Sequence, residues 1–259
     1  MLRTRETKSA PVGVVVKVLR ILETLHNAPS GLQLKDIASQ TSINKSTAYR
    51  FLAHLESEGY LLRDDVGAYI IGPKLSRLGS VSQEETLRKI SRPMLQKLWT
   101  LTGETVNLAV MEGSQVLYLD VIESTHTFRL VTQTGARRPV YCTSLGKVMT
   151  AFLPQSELDE LLSSISYERF TAKTFVVPAK LKRELAKVRD QGFAIDDEEA
   201  VPGARCVAAP VFDATGKVVA AISVSGPITR ITAEKLNSLS NTVKKAAGVI
   251  SSRLGYSGL

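Results

Sequence analysis

Two short stretches near the start of the chain, separated by three residues, constrain its fold most strongly. Within residues 34–41 and again within 45–57, one set of side chains recurs at the i, i+3, i+4, i+7 spacing of a single helix face. The sets are Leu34, Ile37, Ala38 and Thr41, then Ala48, Phe51, Leu52 and Leu55. Asn44 is a favourable N-cap for the second helix, and Gly59 a favourable end. We therefore predict two short helices joined by the tight turn 42–44.

A β-hairpin is expected directly after this helix pair. Residues 60–63 and 68–71 have strand-forming sequences and flank 64–67, a loop that contains Gly. Together with an upstream helix, this arrangement predicts a winged helix-turn-helix, which lays its second helix in the major groove of DNA. For the helix pair alone, an αα-hairpin with a solvated polar face is the alternative. The wing favours DNA binding, so we assign residues 1–73 to a DNA-binding domain.

The second helix presents basic and hydroxyl side chains on and beside the face opposite its apolar stripe. Ser46, Thr47 and Arg50 should enter the major groove, and Arg50 is the best residue for a guanine contact. Lys45 is expected on phosphate, and the wing residues Arg63 and Tyr69 on the backbone or in the minor groove. The expected contacts to double-stranded DNA are Lys45, Ser46, Thr47, Tyr49, Arg50, Arg63 and Tyr69.

Charge and hydropathy agree with a polyanionic partner. The 259-residue chain has a formal net charge of +8, and its first 50 residues hold eight Lys or Arg against three Asp or Glu. A basic surface alone is a weak signal for nucleic acid. No apolar run approaches the roughly 18 residues of a membrane span, and the N-terminus lacks the apolar core of a signal peptide. We expect a cytoplasmic protein, with no membrane partner, whose two cysteines are free thiols.

The upstream helix, from about residue 12 to 27, has more apolar surface than packing on one face requires. One stripe is formed by Val14, Val18, Ile21, Leu22 and Leu25, and a second on the other side by Val12, Val16 and Leu19. Either neighbouring segments cover both faces or the second stripe is a contact between two protomers. A homodimer would suit a protein that reads the two halves of a pseudo-palindromic operator.

The periodicity changes in the second part of the chain. Residues 74–102 have a helical pattern with interruptions at Gly79 and at Pro93, so we assign 74–91 to a linker helix and 92–259 to a second domain. Met94, Leu95, Leu98 and Leu101 should form the apolar face after Pro93. Strands are expected near 106–110, 116–122, 128–132, 193–197, 205–212 and 217–225, and helices near 143–152, 155–164, 179–191 and 232–254. This order predicts an α+β domain.

The last two strands should form a hairpin that brings a cysteine and two serines together. If its loop is 213–216, Phe212 pairs with Lys217 and Cys206 lies opposite Ser223, with Ser225 on the same face. A one-residue slip would separate them, and Pro210 indicates a bulge or an edge. A lone cysteine is usually a small buried hydrophobe. Two serines on a face otherwise made of Ala and Val favour a ligand pocket instead.

A second candidate site is the start of the helix that Thr143 or Ser144 should cap. Free backbone N–H groups at a helix N-terminus bind anions, so residues 144–146 suit a carboxylate. The Gly-Lys pair there does not make a phosphate loop, because the flanking positions lack the Gly and the Ser or Thr that this motif needs. Asp196 begins an acidic turn that is ordinarily solvated, although it precedes the Cys206 strand closely enough to reach a ligand.

These segments resemble the IclR family of bacterial transcriptional regulators over nearly the whole chain. The likeness is carried by residues 45–50 of the second helix and by the segments 102–106, 118–120 and 223–227. The most specific match is the spacing of Gly192, Asp196, Glu199, Cys206, Val207, Ala208, Val211, Phe212 and Asp213. We therefore expect a transcriptional repressor whose operator affinity is controlled by a small effector.

The resemblance implies a winged helix-turn-helix joined by a linker helix to a GAF-like effector-binding domain, usually assembled as a dimer of dimers. It also implies an effector pocket near Thr127, Leu130, Ser144, Leu145, Asp196, Cys206, Ser223 and Ser225. Gly146 joins this set from the helix start described above. Since the donors at the helix start and on the serines favour an anion, we expect a small carboxylate as the effector.

A cysteine-dependent enzyme or a metal-binding GAF-like domain is the alternative. Such chemistry requires a base or further ligands beside the thiol. Of the three histidines, only His126 could lie near Cys206, and no partner to orient it is apparent. Cys142, Cys206 and His126 stay open as ligands. We expect no catalytic residue, no bound metal and no cofactor.

Overall fold

The computed structural model describes residues 13–78 and 83–258, and the chain divides into two compact units, Met1–Ser82 and Gln83–Leu259. The first unit has the helix pair and wing expected from the sequence. Its elements are α1 (Gly13–His26), α2 (Leu34–Thr41), α3 (Lys45–Ser57), β1 (Leu61–Arg63), β2 (Tyr69–Ile71) and α4 (Pro73–Leu78). The side chain of Asn44 caps α3 by accepting a hydrogen bond from the backbone N–H of Ser46 at 3.0 Å, as predicted.

The core of the first unit is small and is formed by its first three helices, the turn 42–44 and both wing strands. Buried residues of these segments pack together: Ile21, Leu25, Ile37, Ile43, Ala48, Leu52, Leu61 and Tyr69. The predicted buried stripe of α1 was wrong at Val14, which is 58 % exposed. Val14 lies in the first turn of α1, two turns before Ile21. Val12 of the second stripe lies outside the described residues.

The second unit is built on a six-stranded antiparallel sheet. Its helices are α5 (Gln83–Thr102), α6 (Ser144–Ala151), α7 (Gln155–Ser164), α8 (Pro178–Gln191) and α9 (Leu236–Arg253). Its strands are β3 (Thr105–Glu112), β4 (Gln115–Ile122), β5 (Arg137–Pro139), β6 (Ala194–Asp197), β7 (Ala204–Phe212) and β8 (Val218–Pro227). The strand order β5-β4-β3-β8-β7-β6 places β3 and β8, the two strands with most of the polar inward residues, at the centre.

The two faces of this sheet bury different cores. Period-two alternation sends Val106, Leu108, Ile222 and Val224 to the face covered by α5 and α9. The opposite face holds smaller residues, including Ala109, Ala208 and Ala221, and is covered by α6, α7 and α8. No helix within the described ranges is long and apolar enough to span a bilayer. Because its residues are small, the second face leaves room above the sheet.

The helix interruption predicted at Pro93 is wrong, and the linker helix does not end at residue 91. α5 continues through Pro93 to Thr102. Pro93 lies on the exposed side of α5, where water can satisfy the carbonyl that loses its hydrogen bond, while Leu95 and Leu98 pack against the sheet. Leu101, predicted on the same apolar face, is 64 % exposed. The interruption expected at Gly79 falls outside the described residues.

Two further strand predictions require correction. Residues 128–132 form no strand but belong to the loop between β4 and β5, whereas 137–139, expected in a loop, pair with β4. The hairpin register is shifted by two residues: Cys206 lies opposite Ser225, and Ser223 opposite Ala208. One residue of the shift arises at the loop, where Phe212 pairs with Val218 instead of Lys217, and the other at a bulge between Val211 and Phe212, next to Pro210. A shift of two preserves the face, so the cysteine and both serines still lie together.

Candidate functional site

The exposed face of α3 carries most of the residues expected to contact DNA. Lys45, Ser46, Tyr49 and Arg50 are exposed, and Thr47 is half-buried. The hydroxyl of Ser46 donates to Asn44 Oδ1 at 2.7 Å, so it is held at the helix start with its oxygen free to accept. α3 therefore presents a short polar surface bearing two positive charges, as a recognition helix requires.

The wing presents Arg63 but not Tyr69. Arg63 is exposed, and its Nε donates to the carbonyl of Gly67 at 3.3 Å. Tyr69 is only 1 % exposed, so its predicted DNA contact is wrong. The backbone N–H and carbonyl of Tyr69 pair with those of Leu32, which makes β2 the inner strand of the wing. The phenol ring consequently faces the core, and at the wing tip Val66 is exposed instead.

The polar residues of the second unit lie in a row across the sheet. Backbone pairing places Asp196 beside Cys206, Cys206 beside Ser225, and Ser225 beside Thr105, on neighbouring strands β6, β7, β8 and β3. Asp196, Cys206 and Ser225 face a cavity of about 90 Å³. Its walls are formed by Tyr118, Leu130, Val131, Thr132, Arg138, Thr143, Ser144, Leu145, Asp196, Ala200, Val201, Ala204, Cys206, Ser223 and Ser225. Seven of the nine expected effector residues are thus brought together.

The start of α6 lies against this cavity. Thr143 Oγ1 accepts the backbone N–H of Gly146 at 3.1 Å, which leaves the N–H groups of Ser144 and Leu145 outside the hydrogen bonds of the helix. Gly146 itself is not in the cavity wall. A Cβ at that position would lie 2.3 Å from the backbone of Val140, so glycine is required there for close packing.

A loop forms the mouth of the cavity and is tied to the sheet by Thr105. The hydroxyl of Thr105 donates to the carbonyl of Leu130 at 2.9 Å and accepts the N–H of Ser124 at 3.2 Å. These bonds hold Leu130 over the polar row. Thr127, three residues earlier, is exposed and does not reach the cavity. Arg138, on the edge strand β5, brings a positive charge to the mouth.

A buried ionic cluster adjoins the polar row. Lys147 is fully buried and donates to Glu199 Oε1, and its Nζ lies 5.2 Å from the centre of the Phe175 ring. Asp196 is 3 % exposed, and its Oδ1 accepts the N–H of Glu199 at 2.8 Å. Burial raises the pKa of Asp196 to about 6 and that of Glu199 to about 7, against the opposing effect of Lys147. Asp196 is therefore engaged with its own turn as well as facing the cavity.

The cysteines have the environment of inert thiols. Burial raises the pKa of Cys142 to about 12, and burial together with Asp196 raises the pKa of Cys206. A protonated thiol is a poor nucleophile and a poor metal ligand. His126 lies in the exposed loop, where its backbone N–H donates to Ser124 Oγ. Within residues 13–78 and 83–258, no group of three or more His, Cys, Asp or Glu is placed to hold a metal ion.

The residues at this site that sequence reasoning missed include Thr105, Asn107, Tyr118 and Arg138. Asn107 donates from Nδ2 to Ser223 Oγ at 3.0 Å and to Ser225 Oγ at 3.1 Å. A signal was available for β3, because the apolar alternation at 106, 108 and 110 sends 105 and 107 to the other face, and Asn is unusual inside a strand. No local signal pointed to Arg138, since it reaches the cavity only through the pairing of β5 with β4.

A winged helix-turn-helix joined to a domain with a small polar cavity defines the class of ligand-responsive DNA-binding regulators. Comparisons with known proteins specify the class further. Residues 14–65 match the IclR helix-turn-helix domain, and 79–252 match the C-terminal domain of the bacterial transcriptional regulator IclR. The chain belongs to the IclR family of transcriptional regulators, which have an N-terminal DNA-binding domain and a C-terminal effector domain.

Individual relatives cover nearly the whole chain. The HTH-type transcriptional regulator BhcR of Paracoccus denitrificans is 36 % identical over 245 residues, which is 94 % of this chain and 88 % of BhcR. The transcriptional repressor IclR of Escherichia coli is 33 % identical over 93 % of this chain and 89 % of its own. The crystal structure of an IclR homologue from Microbacterium hydrocarbonoxydans, complexed with 4-hydroxybenzoate, matches with a TM-score of 0.62 and 25 % identity, over 93 % of this chain and 98 % of that one.

Proposed function

We propose that this protein is a repressor that binds a pseudo-palindromic operator and responds to a small carboxylate bound in the cavity of its second unit. Residues 1–73 bind DNA, 92–259 bind the effector, and 74–91 transmit the response. The cavity is the observation that carries the proposal. It collects hydroxyl and N–H donors at one end and a guanidinium at its mouth, and these are groups that recognise a carboxylate.

Each end of the effector has a matching part of the cavity. The carboxylate binds the hydroxyls of Ser223 and Ser225 and the free N–H groups of Ser144 and Leu145, while Leu130 contacts the apolar part of the ligand. Asp196 and Cys206 complete the polar row, where Asp196 accepts from a hydroxyl or a water. A volume of about 90 Å³ is well below the roughly 300–1,000 Å³ of pockets for drug-sized ligands. The effector is therefore a molecule of few heavy atoms.

A relative supports the chemical class of the ligand. The IclR homologue of Microbacterium hydrocarbonoxydans was solved with 4-hydroxybenzoate, which carries a carboxylate. Its aromatic ring is larger than the cavity of this chain accommodates as it stands. We therefore expect short acids to bind this chain more tightly than aromatic acids.

DNA is read by α3 and held by the surrounding basic groups. Arg50 contacts guanine, Ser46 and Thr47 lie in the major groove, and Lys45 binds phosphate. Tyr49, 53 % exposed, packs beside them, and Arg63 of the wing meets the backbone or minor groove. We assign these roles because the side chains of α3 are exposed, and a side chain must be exposed to reach the edges of the bases.

Two protomers bind one operator through an apolar contact on α1. Val15 and Leu19 lie one turn apart on this helix and are 53 % and 51 % exposed, with Val16 half-buried beside them. Burying such residues between protomers would stabilise a dimer with two-fold symmetry, which places two recognition helices on the two half-sites. Two such dimers form the complete assembly.

Operator binding measured with and without small carboxylates tests this function. Fragments of the promoter beside the protein's own gene are titrated by fluorescence anisotropy, alone and with acetate, pyruvate or 4-hydroxybenzoate. A true effector changes operator affinity by about 1–3 kcal/mol, and operator DNA changes effector affinity by the same factor. Consumption of any of these acids would favour the cysteine-enzyme alternative. Operator affinity that is unchanged by every carboxylate would refute the effector class.

A further inference from the structure

Asn107 lies beneath the two serines of the cavity in a position that no part of the proposed function uses. It belongs to the central strand β3 and is paired across the sheet with Ser223 of β8. Its side chain is 1 % exposed, and the amide Nδ2 bridges Ser223 Oγ and Ser225 Oγ. Among the residues that the structure describes, its Oδ1 has no hydrogen-bond partner. A purely structural amide would be expected to satisfy both ends.

The direction of these two hydrogen bonds determines what the serines can do. A hydroxyl has one hydrogen to donate and two lone pairs to accept with. Because the amide N–H groups of Asn107 occupy one lone pair on each serine oxygen, the serine hydrogens point away from the amide. Ser225 also interacts with the Cys206 sulfur, which is a weak acceptor. Both hydrogens are therefore available to a stronger acceptor in the cavity.

We propose that Asn107 is a positioning residue that makes Ser223 and Ser225 act as a pair of hydrogen-bond donors, so that the cavity selects an ionised carboxylate over its neutral amide. The inference rests on the proposed function, since it assumes that the effector binds at these serines. An acceptor in place of the amide N–H would reverse the direction of both hydrogen bonds between residue 107 and the serines. The serines would then donate to residue 107 and present lone pairs to the ligand.

Asn107→Asp makes this reversal with almost no change in size. Wild-type and variant full-length protein are titrated with acetate, pyruvate and 4-hydroxybenzoate and with the three matching amides, by isothermal titration calorimetry. The variant should lose at least about tenfold in affinity for the carboxylate that wild type binds best, while affinity for its amide is unchanged or higher. Asn237→Asp, an exposed position of α9, adds the same charge away from the cavity and should behave as wild type.

A further variant separates the positioning role from a loss of folding. Asn107→Ala removes both bridges without an acceptor and should weaken carboxylate binding less than Asp does. Thermal melting and ligand-free operator binding of each variant show whether it has folded.

The outcomes distinguish the two proposals. Carboxylate affinity retained in Asn107→Asp, or equal losses for acid and amide, would overturn the positioning role and leave the effector site intact. Carboxylate binding retained when Ser223 and Ser225 are both Ala would overturn the site and the positioning role together. Both proposals would also be overturned if the wild-type protein bound none of the acids or bound the amides more tightly than the acids.

Discussion

Replacing Glu199 with Gln should flatten the pH dependence of the stability of the second unit. Burial raises the pKa of Glu199 from 4.5 to about 7, despite its ion pair with Lys147. The folded protein therefore retains a proton that the unfolded chain releases, so this stabilisation is complete below about pH 4.5 and is lost as the pH rises through about 7. At about 1.36 kcal/mol per pKa unit, Glu199 alone should lower the free energy of unfolding by about 2–3 kcal/mol between pH 5 and pH 8.

The single tryptophan makes this change measurable. Trp99 is the only one in the sequence and lies in α5, where its indole N–H donates to the carbonyl of Glu123 at 2.8 Å. Urea unfolding followed by its fluorescence reports on the second unit, at a fixed protein concentration because the assembly affects stability. Asp196, whose pKa is raised to about 6, also makes the free energy of unfolding fall as the pH rises, and it does so in both wild type and variant.

The test compares how steeply the free energy of unfolding falls with pH in wild type and in Glu199→Gln. Gln resembles the protonated carboxyl and cannot ionise, so the variant lacks the carboxylate partner of Lys147 only above about pH 7, where Glu199 of the wild type is charged. Glu157→Gln, at an exposed position of α7, is the matched control and should follow the wild-type curve. Parallel curves for wild type and Glu199→Gln from pH 5 to pH 8 would refute the reasoning.

Three further substitutions test the DNA surface, the cavity and the dimer. Arg50→Ala should weaken the free energy of binding to the operator by about 1–3 kcal/mol and that of binding to random DNA by less, whereas Lys45→Ala should weaken binding to both DNAs alike. Anisotropy titrations measure these affinities, and equal losses on the two DNAs for Arg50→Ala would exclude base reading. Changing Ser223 and Ser225 together to Ala should abolish the response of operator binding to a carboxylate in the same assay, with ligand-free binding nearly unchanged; a normal response would place the effector elsewhere. Leu19→Glu should lower the mass measured by sedimentation and weaken operator binding together, and if neither changes, the α1 face is not a dimer contact.

The first unit could be predicted well because its signals are local. Each helix has its own stripe, and the Asn44 cap and the turn act within a few residues of the elements that they define. Tyr69 was misassigned because its orientation depends on pairing with Leu32, 37 positions earlier. Alternation shows that one side of a strand faces inward, but it does not show which neighbouring segment covers that side.

The cavity was predicted only in part for the same reason. Cys206, Ser223 and Ser225 were grouped correctly because both strands belong to one hairpin, and even a two-residue error in register kept them on one face. Arg138 and Asn107 reach the site through strands that pair with distant parts of the chain. Thr127 and Gly146, expected in the wall, lie outside it.

The sequence by itself determined most of the elements, their order and the family, since these follow from side-chain periodicity, capping residues and motif spacing along the chain. Only the tertiary structure decided which polar groups converge and which way their hydrogen bonds run. Asn107 shows the physical reason, because its two serine partners are 116 and 118 positions away. A hydrogen bond depends on distance and direction in space, and here the pairing of strands that are far apart in the sequence sets both.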